Sequence, residues 1–110
     1  MIYFWLDDER KVPREIMENP AYTTIFHFNS VNQMKEMILT IVSMEMIDQF
    51  IIDLDHDLGE YAWDGGDGIE LMKWLLEEQI YPQVKLHTMN VVGRQNMQAI
   101  LDSRFWGKEY

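Results

Sequence analysis

Three aspartates stand at alternate positions, Asp53, Asp55 and Asp57, with His56 between the last two, directly behind an apolar run. A second acidic pair, Asp7 and Asp8, followed by Glu9 and Arg10, closes the apolar run at residues 2–6. Two carboxylates about 4 Å apart repel by roughly 4 kcal/mol at an effective dielectric near 20, so acids gathered in this way need a cation, a proton or a basic partner. A hard divalent ion meets that need most economically. The chain has no cysteine, which leaves oxygen and imidazole as ligands, a set suited to magnesium or manganese shared between few carboxylates and a phosphate. Asp7, Asp8, Asp55 and Asp57 are the candidate ligands.

Beside these acids, His56 and His87 are the candidates for proton exchange, with Asp55 as their catalytic neighbour. Imidazole donates and accepts protons at neutral pH, and a pair facing a phosphodiester can serve as acid and base. His27 lies inside a strand-like segment and is read as a satisfied polar group. Arg94 and Asn96, in "GRQNM" at residues 93–97, open a last helix, where free backbone N–H groups and a guanidinium would hold an anion. Thr88 and Asn90, just past His87, and Arg10, just past the first acidic pair, complete the expected phosphate-binding set. Trp63, next to the glycine cluster "DGGDG" at residues 64–68, offers an indole that could cover a base or ring. The nine methionines fall mostly in apolar helical stripes and read as core filling.

Competing motifs fail in detail. Asp53, Asp55 and Asp57 match the first, third and fifth places of a calcium loop, but Leu58 stands where the invariant glycine belongs, Asp64 replaces the closing glutamate, and a strand precedes the segment. Asp64 or Asp67, taken singly, reads as a helix-terminal acid before the third helix. The two-histidine phosphoesterase pattern needs His-x-Thr or His-x-Ser twice, and "HT" at residues 87–88 lacks the intervening residue.

The elements that must position these groups follow from periodicity. Residues 2–6 are a continuous apolar run and predict a buried first strand. Pro13 suits the first turn of a short helix. Residues 23–28, "TTIFHF", are β-branched and aromatic and predict a second strand. Ser30 with Gln33 has capping-box spacing before a helix ending near residues 44–47. Residues 50–54 predict a third strand, apolar on both faces. A helix over Ile69 to Gln79 is stopped by Pro82, residues 84–87 form a fourth strand, and from Gly93 onward Met97, Ile100, Leu101 and Phe105 mark a last helix. The closing "WGKEY" is too little for a fifth strand. Strands alternating with helices imply an α/β fold with a parallel sheet and helices on both faces. In the flavodoxin-like order, 2-1-3-4, the ends of strands 1, 3 and 4 share one rim, where ligands bind.

At 110 residues the chain is expected to form one domain, residues 1–110. Nineteen acidic against nine basic residues give a net charge of −10, nine of the acids lying within residues 7–9 and 53–67. That charge repels phosphate backbones at long range and argues against non-specific nucleic-acid binding, while a local cation still permits a small phosphorylated ligand. Six apolar residues before the first acids neither span a membrane nor make a secretory leader, so the chain is expected to start at Met1, without a membrane partner, in a reducing cytoplasmic setting.

"FWLDDER" (4–10), "LDHDLG" (54–59), "LHTMN" (86–90) and "GRQNM" (93–97), in this order, resemble the cyclic-phosphate processing receiver domain family. The resemblance implies a three-layer receiver-like sandwich, here truncated at the fifth strand, and a role in handling cyclic phosphate termini or related nucleotides. It aligns Asp7 and Asp8 with the acidic metal-binding pair of receivers, Asp55 with the aspartate that receivers phosphorylate, and Thr88 with a hydroxyl position. The receiver lysine after a fifth strand has no counterpart, and Lys85 lies within strand 4. The family also brings His56, Asp57, His87, Asn90, Arg94 and Asn96, which phosphoryl acceptance alone does not require. The expected function is a metal-assisted phosphoesterase acting on the cyclic phosphate of a nucleotide or RNA end. The alternatives are capture of a phosphorylated or cyclic nucleotide without cleavage and, disfavoured by the missing lysine, a phosphorelay receiver.

Overall fold

A computed structural model of the chain describes residues 1–46, 49–103 and 106. Strands β1 (Ile2–Leu6), β2 (Thr24–Phe28), β3 (Phe50–Leu54) and β4 (Gln83–Leu86) form a parallel sheet in the order β2-β1-β3-β4. Leu6 pairs with Phe28 on one side and with Leu54 on the other, and Leu54 pairs with Leu86. All four carboxyl ends therefore finish at one rim, and the order reverses between β1 and β3, where an open α/β sheet leaves a crevice. β3 is buried at every position, as a strand covered on both faces must be, whereas edge strand β4 alternates exposed and half-buried residues. No fifth strand occurs among the described residues.

The period of two divides the strand side chains between two cores. Phe4, Leu6, Ile52 and Leu54 pack with α2 (Val31–Ser43), α3 (Gly68–Glu78) and Met97 of α4 (Val91–Asp102). Tyr3, Trp5 and Ile51 point the other way and pack with Val12, Ile16, Tyr22 and Ile25, around the short helix α1 (Arg14–Met17). Each fully buried Leu, Ile, Phe or Met contributes about 1.5–3 kcal/mol relative to exposure, so most of the stabilisation lies on the face of α2, α3 and α4. The α1 face is thin, and it is there that the sheet carries its buried polar groups.

Local signals explain the helix ends. Ser30 Oγ accepts from the Gln33 N–H at 3.2 Å, and the Gln33 side chain accepts from the Asn29 N–H at 3.1 Å, so the capping box forms with its return bond one residue early. α2 ends at Ser43, slightly before the expected 44–47; residue 47 lies outside the described residues. α3 ends at Glu78 with Gln79 in the left-handed region, three residues before Pro82. The last helix begins at Val91, two residues before the expected Gly93, because Asn90 caps it, its Oδ1 accepting from the Gly93 N–H at 2.8 Å. β-Branched Val91 and Val92 are weak helix formers and conceal that start. Phe105 and residues 107–110 lie outside the described residues. No described helix is long and apolar enough to cross a membrane.

Candidate functional site

β1 delivers Asp7 and Asp8 to the rim and β3 delivers Asp55. The Asp7 N–H donates to the Phe28 carbonyl at 3.1 Å and the Asp55 N–H to the Leu6 carbonyl at 2.9 Å, each bond extending the ladder one step past the strand. One oxygen from each of Asp7, Asp8 and Asp55 lies within 4.8 Å of the others. Their surroundings differ. Asp7 is 1% exposed; its Oδ1 accepts from the N–H groups of Glu9 and Arg10, both at 2.9 Å, and its Oδ2 meets Arg10 Nε at 3.2 Å and His87 Nε2 at 3.0 Å. Burial pulls its pKa upward, but these donors outweigh burial and hold the carboxyl below its ordinary 3.8. Asp55 Oδ1 accepts from the His56 N–H at 2.8 Å, with Arg10 Nη2 3.8 Å away. For Asp8 the balance reverses: burial, then the charges of Glu9, Asp7 and Asp55, push its carboxyl above 3.8, against a hydrogen bond from its own N–H. Its Oδ2 would lie 2.5 Å from a Cβ on Gly59, whose φ is +53°, so this carboxylate occupies room that only glycine leaves.

His87 emerges from β4 but does not reach into the open. Its ring stacks on Trp5, with centroids 3.7 Å apart and planes 4° from parallel. Nε2 faces Asp7, and Nδ1 faces Asp53 Oδ1 at 2.7 Å. Tyr3 donates its hydroxyl to the other Asp53 oxygen. Each ring nitrogen of His87 thus faces one carboxylate oxygen. Asp53, considered above only as the first place of a calcium loop, is therefore a buried member of the polar system, and Tyr3 is another. Their signal in the sequence is a carboxylate inside an otherwise apolar strand, which must find partners when buried.

His56 lies on the other side of the rim. Its Nδ1 meets Asp57 Oδ1 at 2.8 Å, and Asn90 Nδ2 donates to both Asp57 oxygens at 3.1 and 3.2 Å. His56 first, then Asn90, holds the Asp57 carboxyl below 3.8 against partial burial. At the rim opens a cleft of about 550 Å³ lined by Asp7, Asp8, Arg10, Asp55, Asp57, Thr88, Met89 and Asn90; neither His56 nor His87, the two imidazoles expected to exchange protons there, lines it. That volume suits a small ligand. Arg10 Nη2 donates to the His87 carbonyl at 2.9 Å, and Thr88 Oγ1 accepts from the Asn90 N–H at 3.1 Å. Asp7, Asp8, Asp55, Asp57, Arg10, Thr88 and Asn90 are thus brought together.

Arg94 and Asn96 do not line this cleft. The Arg94 guanidinium donates to the Leu86 carbonyl at 2.8 Å, and Asn96 is exposed on α4. Trp63 is 82% exposed and also stands apart from it. Asp64 accepts from Ser30 Oγ at 2.6 Å and Asn32 Nδ2 at 3.1 Å, joining the glycine loop to α2, and Asp67 accepts from the Leu58 N–H at 3.0 Å. His27 Nε2 meets the Asp7 carbonyl at 2.8 Å. Lys85 Nζ lies 5.8 Å from the Tyr3 ring centroid, on the α1 face, and no lysine lines the cleft among the described residues.

Asp7, Asp8 and Tyr3 make stability depend on pH. Asp7 binds its proton more weakly in the folded chain, so its stabilising effect is complete above its ordinary 3.8 and fades as the pH falls below that. Asp8, raised, works in the opposite sense, so Asp8→Asn is expected to steepen the acid loss. The Tyr3 phenol is raised above its ordinary 10.0, first by burial and then by the hydrogen bond and charge of Asp53. The unfolded chain ionises first there, so stability declines as pH rises past 10.0. Urea midpoints across pH should show both limbs, and Tyr3→Phe should flatten the alkaline one; an alkaline limb unchanged in Tyr3→Phe would assign it to another group.

Fold and site together define a receiver-like α/β domain with an acidic rim elaborated by histidines. The chain belongs to the cyclic-phosphate processing receiver domain family, whose model matches residues 2–103. Among curated proteins and among solved structures, nothing matches the chain.

Proposed function

We propose that the rim cleft binds the cyclic phosphate of a nucleotide or RNA end with the help of a divalent cation and opens the ring by hydrolysis. The observation that carries this reading is the convergence of Asp7, Asp8 and Asp55 within 4.8 Å, with Asp8 pushed toward protonation by burial and by neighbours of its own sign. Acids at that separation repel by about 3 kcal/mol per pair at an effective dielectric near 20, and Arg10 offsets only part of it. The donors are all oxygen, which fits magnesium or manganese. Asp7 already has four donors, so Asp8 and Asp55 would hold the ion with Asp7 beside them. Such an ion, when bound, polarises a phosphoryl oxygen. Arg10, Thr88 and Asn90 would orient the phosphate. As the water oxygen bonds to phosphorus it would give its proton to Asp57, the cleft carboxylate that His56 holds in place, and as the ring P–O bond breaks the leaving oxygen would take a proton from solvent to become a hydroxyl.

A second reading, capture without cleavage, is favoured by one observation. Of the two imidazoles expected to exchange protons, His87 has both nitrogens engaged by carboxylates. Incubation with 2′,3′-cyclic mononucleotides and Mn²⁺, followed by mass measurement of the ligand, separates the readings. A linear product heavier by one water, lost on chelation, supports hydrolysis. Intact ligand recovered at stoichiometric occupancy supports capture, and absence of both product and bound ligand rejects the two together.

A further inference from the structure

Four side chains from three strands form a continuous polar row on the α1 face: Tyr3 to Asp53, Asp53 to His87 Nδ1, and His87 Nε2 to Asp7. Asp53 is 5% exposed and Asp7 1%. The row runs from the middle of β1 through β3 and ends on a carboxylate of the cleft. Trp5 fixes it from the side, stacking on the His87 ring while its indole N–H donates to the Arg10 carbonyl at 2.8 Å. Burying two carboxylates is costly, and a core of this size is more easily stabilised by apolar side chains on that face. The alternating pattern that places Tyr3, Trp5 and Ile51 there would accept Phe and Val in place of Tyr3 and Asp53 on packing grounds alone.

We infer that Tyr3, Asp53 and His87 are positioning residues that hold Asp7, and through it Arg10, in the geometry the cleft uses, although none of the three lines the cleft itself. Asp53 accepts from Tyr3 and His87, which fixes the ring orientation; the ring then presents Nε2 to Asp7 Oδ2, the oxygen that also binds Arg10 Nε. Carboxylates and imidazoles behind a ligand set act in this way, by orienting the groups that touch the ligand. The inference rests on the proposed cation site for one arm of its test and not for the other.

In the full chain without added ion, the Asp7 side-chain carboxyl carbon and the His87 ring nitrogens are followed by NMR in wild type, Asp53→Asn, Tyr3→Phe and Ile51→Val. Ile51 packs in the same cluster but lies outside the row, so it reports general loosening. Movement of the Asp7 signal in Asp53→Asn and Tyr3→Phe, with little in Ile51→Val, is the expected result. An Asp7 signal unmoved by Asp53→Asn overturns the inference. In the second arm Mn²⁺ alone is titrated by calorimetry, and Asp53→Asn is expected to weaken it about 10- to 100-fold, as outer partners of ligand sets do, with Tyr3→Phe smaller in the same direction. Unchanged affinity in Asp53→Asn also overturns it. A wild-type chain that binds no Mn²⁺ rejects the cation part of the proposed function, and the Asp7 signal alone then decides the positioning role.

Discussion

His87→Ala is expected to lower folding stability by about 3 kcal/mol, near the lower end of the range for removing one partner from a buried ionic group. The Asp7 and Asp53 carboxyls would lose the ring that lies between them, and Trp5 would lose the ring stacked on it at 3.7 Å. The lower end applies because Tyr3 still serves Asp53, and Arg10 still serves Asp7. Urea unfolding measures the change directly, and the thermal midpoint should fall by on the order of 15 °C for a domain of this size. His87→Gln should recover part of the loss, since an amide can donate to one of the two acids. A wild-type urea midpoint in His87→Ala would show that the row contributes little to folding. The expectation also bears on the proposed hydrolysis, because a loss of product formation in His87→Ala would report a disturbed fold before it reported proton transfer.

Gly68→Ala is expected to damage both stability and site. Gly68 opens α3 directly beneath the end of β3, with its N–H donating to the His56 carbonyl at 2.7 Å. A Cβ there would overlap the Asp55 carbonyl oxygen and stand 3.1 Å from the Asp55 carbonyl carbon and 3.2 Å from His56 Cα. All three atoms are backbone, so no rotamer relieves the clash; either α3 or the end of β3 must move. Overpacking of this kind costs about 1–3 kcal/mol, and the upper part of that range is expected because the obstacle is main chain. The displaced segment carries Asp55 and His56, so Mn²⁺ affinity should fall together with the urea midpoint. Unchanged stability in Gly68→Ala would mean that α3 is seated more loosely on β3 than this contact implies.

Much of the scaffold was legible because its signals are local and periodic. The apolar runs ending at Leu6 and Leu54 are short and acid-terminated, and buried parallel strands have no polar face to alternate. Alternation with helical stripes implied a parallel α/β sheet, the flavodoxin-like analogy supplied the order β2-β1-β3-β4, and that order brings Asp7, Asp8 and Asp55 to one rim. The helix start at Val91 was less legible, since the cap resides in Asn90 and the following valines obscure it. The direction of side chains at the rim was not legible at all. Arg94 turns to the Leu86 carbonyl, whereas Arg10 turns into the acids, and nothing in the spacing of either residue distinguishes the two outcomes.

From its residues alone, this chain determined which chemical groups reach the rim, because strand ends and the acids after them are set by runs of a few neighbouring positions. What only the tertiary structure decided is which of those groups face the cleft and which are spent on one another. His87 and Asp53 are 34 positions apart, and His87 and Asp7 are 80 apart. Their pairing depends on parallel register across three strands and on the flat face of Trp5. A hydrogen bond is won or lost over a few tenths of an ångström, a precision that periodicity in the sequence does not carry and that the packed sheet supplies.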